Sequence, residues 1–209
     1  MKEVLEIINY NVDELETWLI EKAGSNCAQH FGVNFTGNLE LQQIPKEYSK
    51  LLLWLKNQNI QSYMAIGIGN GGSFITECIM MRNSLKTAVA LDNVSYTKTE
   101  QKLEDINKKI NDLSNLLPDC NIKFIQADSK DYLKEETHKY DCIFIDGDHT
   151  YEGVSSDYNY SKNLSNILIF HDINSENCPG VVRLWNEIKC KEKIEFIHSK
   201  CCGIGIAIL

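Results

Sequence analysis

A chain of 209 residues is long enough for one α/β domain with a substantial core, and 43% hydrophobic with 24% charged residues is ordinary for a folded protein. The formal net charge of −8 argues against general nucleic-acid binding, which needs a dense basic face against the phosphates. No run is long and apolar enough to span a bilayer, and "MKEVLEIINY" carries acids where a signal peptide would not, so a soluble, cytoplasmic protein is expected.

The eight cysteines, at 27, 78, 120, 142, 178, 190, 201 and 202, form no C-x-x-C pair. Several sit in apolar runs, where cysteine acts as a small hydrophobe, so reduced thiols are expected. Adjacent Cys201 and Cys202 have no partners at ligand spacing and are read as plain thiols.

In chain order, Asn11 can cap a first helix with Glu14 at its third position, Val12, Leu15, Trp18 and Leu19 on one face and Gly24 as the stop. Residues 1–41 read as a helical lid or oligomerisation segment, in which Trp18 is available to pack on a second copy of a homo-oligomer. A polar stretch, Ser25–Leu41, leads to "IPKEYSKLLLWLKN", a helix opening at Pro45. From residue 42 onwards short apolar runs alternate with longer amphipathic ones. Strands are expected at Ser62–Ile68, Thr87–Leu91, Ile122–Ala127, Cys142–Ile145 and Ile167–Phe170. Helices are expected at Ser73–Arg82, Lys98–Leu117, Ser129–His138, Tyr151–Leu164 and Val181–Cys190. Two last strand-like runs, Ile194–His198 and Ile204–Leu209, are too close for a crossover helix and should pair antiparallel. The expected fold is an α/β, doubly wound, Rossmann-like and mostly parallel sheet of seven strands, closed by an antiparallel hairpin, with helices on both faces.

Ligands in such sheets collect at the carboxyl ends of the strands. The first run ends in "GIGNGGSF", where Gly67, Gly69, Gly71, Gly72 and Ser73 can wrap a nucleotide-type ligand at a helix start. The second ends in "ALDN": Asp92, beside Asn93 and twenty residues past Gly72, can accept from two ribose hydroxyls. At the third, Asp128 and Ser129 either contact an adenine or cap the next helix. The fourth run ends in "DGDHT" and the fifth in "HDI", so Asp146, Asp148 and His149 should face His171 and Asp172 across one crevice. Crowded carboxylates need a cation, a proton or a substrate between them. Asp146 and Asp172, with His171, can hold Mg²⁺ or another divalent cation, and His149 can take a proton from a substrate hydroxyl. The alternative is that Asp172 caps a turn and His171 satisfies a buried donor.

With "QIPKEYSKLLLWL", "AIGIGNGGSF", "YDCIFIDGDHTYEGV" and "ILIFHDINSENCPGVVRLWNEI" assembled, the chain after Leu41 resembles class I S-adenosylmethionine-dependent methyltransferases. The likeness is greatest to the small-molecule branch of catechol and macrocin-type O-methyltransferases. The resemblance implies S-adenosylmethionine over Gly67–Ser73, its ribose on Asp92 and its adenine near Asp128 and Ser129. It further implies a cation on Asp146 and Asp172, catalysis by His149 with Asp146, and a small-molecule or sugar hydroxyl as acceptor. Two positions depart from the pattern: Ala65 stands where an acid commonly opens the glycine motif, and His171 and Ile173 flank Asp172 where relatives carry a further oxygen ligand. A nicotinamide-linked oxidoreductase and a non-catalytic cofactor-binding module of the same fold are the competing expectations.

Overall fold

The computed structural model describes residues 2–21, 39, 41–94, 100–198 and 200–209. The expected stop at Gly24, Cys27, most of the polar stretch to Leu41 and the first turn of the helix expected at Lys98 lie outside the described residues.

A 3₁₀ helix, Lys2–Asn9, precedes α1, Val12–Glu21. The capping box forms as its residues require: Asn11 Oδ1 accepts from the Asp13 and Glu14 amides, and Glu14 Oε2 accepts from the Asn11 amide. The apolar stripe of α1 then meets the main core, where Leu15 and Leu19 are fully buried beside Tyr48, Leu51 and Phe74. Each such leucine contributes roughly 1.5–3 kcal/mol of burial. Trp18, expected to be available to a second copy, is nine-tenths buried in its own chain.

The rest alternates as its periodicity demands. In order come α2 (Pro45–Lys56), β1 (Ser62–Ile66), α3 (Gly72–Met80), β2 (Thr87–Asp92), α4 (Glu100–Leu116), β3 (Asn121–Gln126), α5 (Ser129–Glu135), β4 (Cys142–Ile145), α6 (Tyr151–Ser161), β5 (Ile167–His171), α7 (Pro179–Glu187), β6 (Glu192–Phe196) and β7 (Ile204–Ile208). The sheet order is β3-β2-β1-β4-β5-β7-β6, with the first five strands parallel and β7 antiparallel to both neighbours. Alternate residues of β1 feed two cores, Tyr63 and Ala65 one, Met64 and Ile66 the other, which is why a parallel central strand reads as unbroken apolar sequence. The first strand stops at Ile66, not Ile68, because Gly67 turns the backbone into the left-handed region at φ 77°.

Strand register aligns the carboxyl ends. Ile66 pairs with Leu91 on one side and Ile145 on the other, and Ile145 pairs with Phe170. The next residue on each strand is therefore Gly67, Asp92, Asp146 or His171, and these four share one rim. Strand order reverses between β1 and β4, so the crevice of a doubly wound sheet opens at that rim.

Candidate functional site

The glycine turn is tied down at two points. A Cβ on Gly67 would stand 2.1 Å from the Asp146 carbonyl oxygen, and one on Gly72 would stand 2.0 Å from that of Leu39. Only glycine lets the turn lie this close to the fourth strand's end. At Gly69 and Gly71 a Cβ would meet nothing within 4 Å, so the turn's outer side faces open space that suits a bulky ligand. Asp92 organises the loop: Oδ2 accepts from the Ile68 and Gly69 amides at 2.9 and 3.0 Å, and Oδ1 accepts from Val94 at 2.6 Å. Lys109 Nζ donates to the Asn70 carbonyl from α4. Asn93 is exposed beside Asp92, whereas Ser73 is buried in the first turn of α3. This open cradle over a glycine turn with an acid at the next strand end fits an adenosine-bearing donor.

At the third strand end the capping alternative is realised. Asp128 Oδ1 accepts from the Lys130 amide, and Ser129 Oγ donates to Asp157 Oδ1 at 2.7 Å. Asp157 carries no signal in the sequence. Only 1% exposed, its Oδ2 has no hydrogen-bond partner, and burial pushes its carboxyl up to about 6.

The opening "DGDH" separates into two functions. Asp148 does not join the crevice: its Oδ1 accepts from the Thr150 amide, and it packs on Gly153 at the start of α6, where a Cβ would approach its Cγ to 2.2 Å. Asp146 and His149 do join it. His149 Nε2 donates to Asp146 Oδ1 at 3.2 Å and stands 3.6 Å from Asp172 Oδ2. His171 Nδ1 lies 3.3 Å from Asp146 Oδ1 and 3.4 Å from Asp172 Oδ2, yet neither of its ring nitrogens makes a hydrogen bond. Asp172 is 6% exposed with φ 62°, a left-handed conformation that aspartate tolerates at about 1 kcal/mol or more. The expected convergence of Asp146, His149, His171 and Asp172 is thus present.

Electrostatics follow from two carboxylates meeting two imidazoles. Burial alone would raise the Asp146 and Asp172 carboxyls, but the neighbouring histidines, His171 first, hold both below the ordinary range. The hydrogen bond to Asp146, then the contact with Cys178, pushes His149 up to about 11. Burial opposes charge on His171, and the carboxylates of Asp146 and Asp172 outweigh it and raise its pKa. His149 therefore keeps its proton at neutral pH while both carboxylates face it, and turns basic only when their charge is taken up by something else.

Donor chemistry fits a cation here. Ligand atoms of His149, Asp172 and Cys178 lie within 4.8 Å of one another, and so do those of His171, Asp172 and Cys202. Cys178 Sγ is 3.4 Å from Asp172 Oδ2 and 3.5 Å from His149 Nδ1. Sequence spacing pointed to neither thiol, because both come from segments remote from residues 146–149 in the chain. None of the seven described cysteines is in a disulfide, as expected of reduced thiols. Beside the cluster a cavity of about 540 Å³ is lined by His149, Tyr151, Asn177 and Arg183, among others. Among the described residues, no helix is long and apolar enough to cross a membrane.

A second acidic centre is equally silent in the sequence. Glu77 on α3 is fully buried; Tyr63 OH donates to its Oε2 at 2.6 Å and Tyr48 OH to its Oε1 at 3.1 Å. Burial pushes its carboxyl up to about 7, against the pull of those two phenols.

Comparison with known proteins agrees with this geometry. A family model described as a methyltransferase domain matches residues 64–173, just over half of the chain. No curated protein matches the sequence. Among solved structures, the O-methyltransferase TomG of Streptomyces achromogenes, in complex with SAM, is 14% identical over 90% of this chain and 87% of its own, with a TM-score of 0.58. An rRNA methylase of Streptococcus thermophilus is 11% identical over 80% of this chain and 99% of its own, at 0.59. The spermidine synthase of Thermotoga maritima is 15% identical over 78% and 58%, at 0.52. Identities this low carry the fold and not the acceptor.

Proposed function

The chain belongs to the methyltransferase-domain family and is an S-adenosylmethionine-dependent methyltransferase; from that premise we propose that it methylates a hydroxyl oxygen of a small molecule or sugar. The observation that carries this reading is the shared rim. Strand register sets the glycine turn, Asp92, Asp146 and His171 side by side, and His149 stands 3.2 Å from Asp146 next to an open cavity.

In this reading Gly67–Ser73 and Asp92 hold the donor, with Asn93, Asp128 and Ser129 along the edge where its nucleoside would lie. The donor supplies an electrophilic methyl on a sulfonium, which an acceptor oxygen must approach in line. A divalent cation on Asp172 and its neighbours, when bound, lowers the acceptor's hydroxyl pKa and takes up the carboxylate charge that holds the His149 proton. His149 then receives the hydroxyl proton, and Asp146 orients its ring. The net charge of −8 favours a small acceptor over RNA. A nicotinamide-linked oxidoreductase has no use for paired acids at the fourth and fifth strand ends, nor for the terminal hairpin.

Calorimetric titration with S-adenosylmethionine, S-adenosylhomocysteine and NAD tests the donor. Transfer of labelled methyl into a panel of sugars, catechols and other hydroxyl compounds tests the acceptor. Saturable binding of the first two ligands, with label in an ether linkage, is expected. Label appearing only in RNA, or only on nitrogen, would overturn the hydroxyl assignment.

A further inference from the structure

We infer that His171, Asp172 and Cys202 form a site for a borderline transition-metal ion of the zinc class, and not for Mg²⁺. The ligand atoms of the three lie within 4.8 Å of one another and all three residues are buried, Cys202 to 3% exposure and the others to 6%. His171 carries the decisive observation. A buried imidazole normally satisfies at least one nitrogen, yet neither of its nitrogens makes a hydrogen bond, although Nδ1 is only 3.4 Å from Asp172 Oδ2. That separation is what nitrogen and oxygen ligands show across a tetrahedral ion, roughly 3.4 Å for bonds of about 2.0–2.1 Å.

The backbone holds the thiol in place. Antiparallel pairing sets His171 opposite Ile204, so the turn before β7 is carried to the end of β5. The Asn174 amide donates to the Cys202 carbonyl at 2.8 Å, and the Ile173 amide to that of Gly203 at 3.3 Å. Glu47, buried in α2, clamps the turn from the other side, accepting from the His198 amide at 2.7 Å and the Gly203 amide at 2.9 Å. This is the outer support that fixes ligands before an ion arrives. Mg²⁺ demands oxygen ligands in an octahedron and retains its waters, whereas imidazole, thiolate and one carboxylate suit Zn²⁺, Co²⁺ or Fe²⁺.

The site shares His171 and Asp172 with the transferase cluster but does not depend on the hydroxyl acceptor, and its test reads metal and not methyl transfer. Untagged protein is stripped with chelator and titrated with Co²⁺. We expect one equivalent to bind with a near-ultraviolet thiolate-to-cobalt charge-transfer band, abolished by Zn²⁺ and untouched by a large excess of Mg²⁺. Cys202→Ser should lose the band; Cys178→Ser, which alters the other thiol of the cluster, should keep it and so assigns the band to Cys202 even if the first variant fails to fold. Absence of a thiolate band in the wild-type protein, displacement by Mg²⁺, or loss of the band in Cys178→Ser would each overturn the proposal.

Discussion

Replacing Glu77 by glutamine should remove a pH dependence of stability that the wild-type protein carries through neutrality. The carboxyl is fully buried, between the Tyr48 and Tyr63 hydroxyls, with Asp146 and His171 as the charged groups acting on it from the strand ends. Its pKa rises from 4.5 to about 7 on folding, so between those values the folded chain holds a proton that the unfolded chain has released. Stability from this proton is complete below pH 4.5 and is lost as the pH rises through 7. The full loss is about 3.4 kcal/mol at 1.36 kcal/mol per pH unit, and about 2 kcal/mol of it falls between roughly pH 5.5 and 8.5. Asp157, pushed up to about 6 by burial, adds a loss of the same sign in both proteins, so the comparison with Glu77→Gln isolates position 77. Urea unfolding followed by tryptophan fluorescence at the two pH values supplies the numbers. Glutamine shifts the baseline through its new amide donors, but the difference between proteins should shrink by about 2 kcal/mol as the pH is raised. Equal losses in wild type and variant would show that Glu77 is ionised throughout, and the burial argument would fail.

Asp92→Ala strips an acceptor from the Ile68, Gly69 and Val94 amides as well as from the donor's ribose; about 1–3 kcal/mol of stability and at least tenfold in donor affinity should go together in melting and calorimetric curves. A variant that melts normally but binds weakly would mean that the loop needs no such support. Gly67→Ala forces a side chain into the Asp146 carbonyl at a left-handed φ, so a drop of about 3 kcal/mol or more is expected, with donor binding lost even at low temperature. His149→Ala should cut turnover by roughly 10²–10⁴ while donor affinity stays near normal, and full activity in that variant would remove histidine from the proton path.

The alternation of apolar runs with amphipathic ones was enough to specify the doubly wound sheet, the terminal hairpin and the capping box at Asn11, because burial on two faces or one imprints a local period on the chain. The glycines and the acids at the strand ends were legible for the same reason: they interrupt that period at its edges. What each acid does was not legible. Asp146 and Asp148 are two residues apart in one turn, yet one enters the cluster and the other caps α6. Asp92 reads as a ribose acceptor, and its carboxylate also holds three backbone amides. Asp157, Glu77 and Cys202 sit in stretches that carry no local signal at all. Their partners come from other strands and helices, brought within a few ångströms by sheet register and by the antiparallel return of β7. Side-chain chemistry at the rim depends on distances across the fold, which no spacing along one chain encodes.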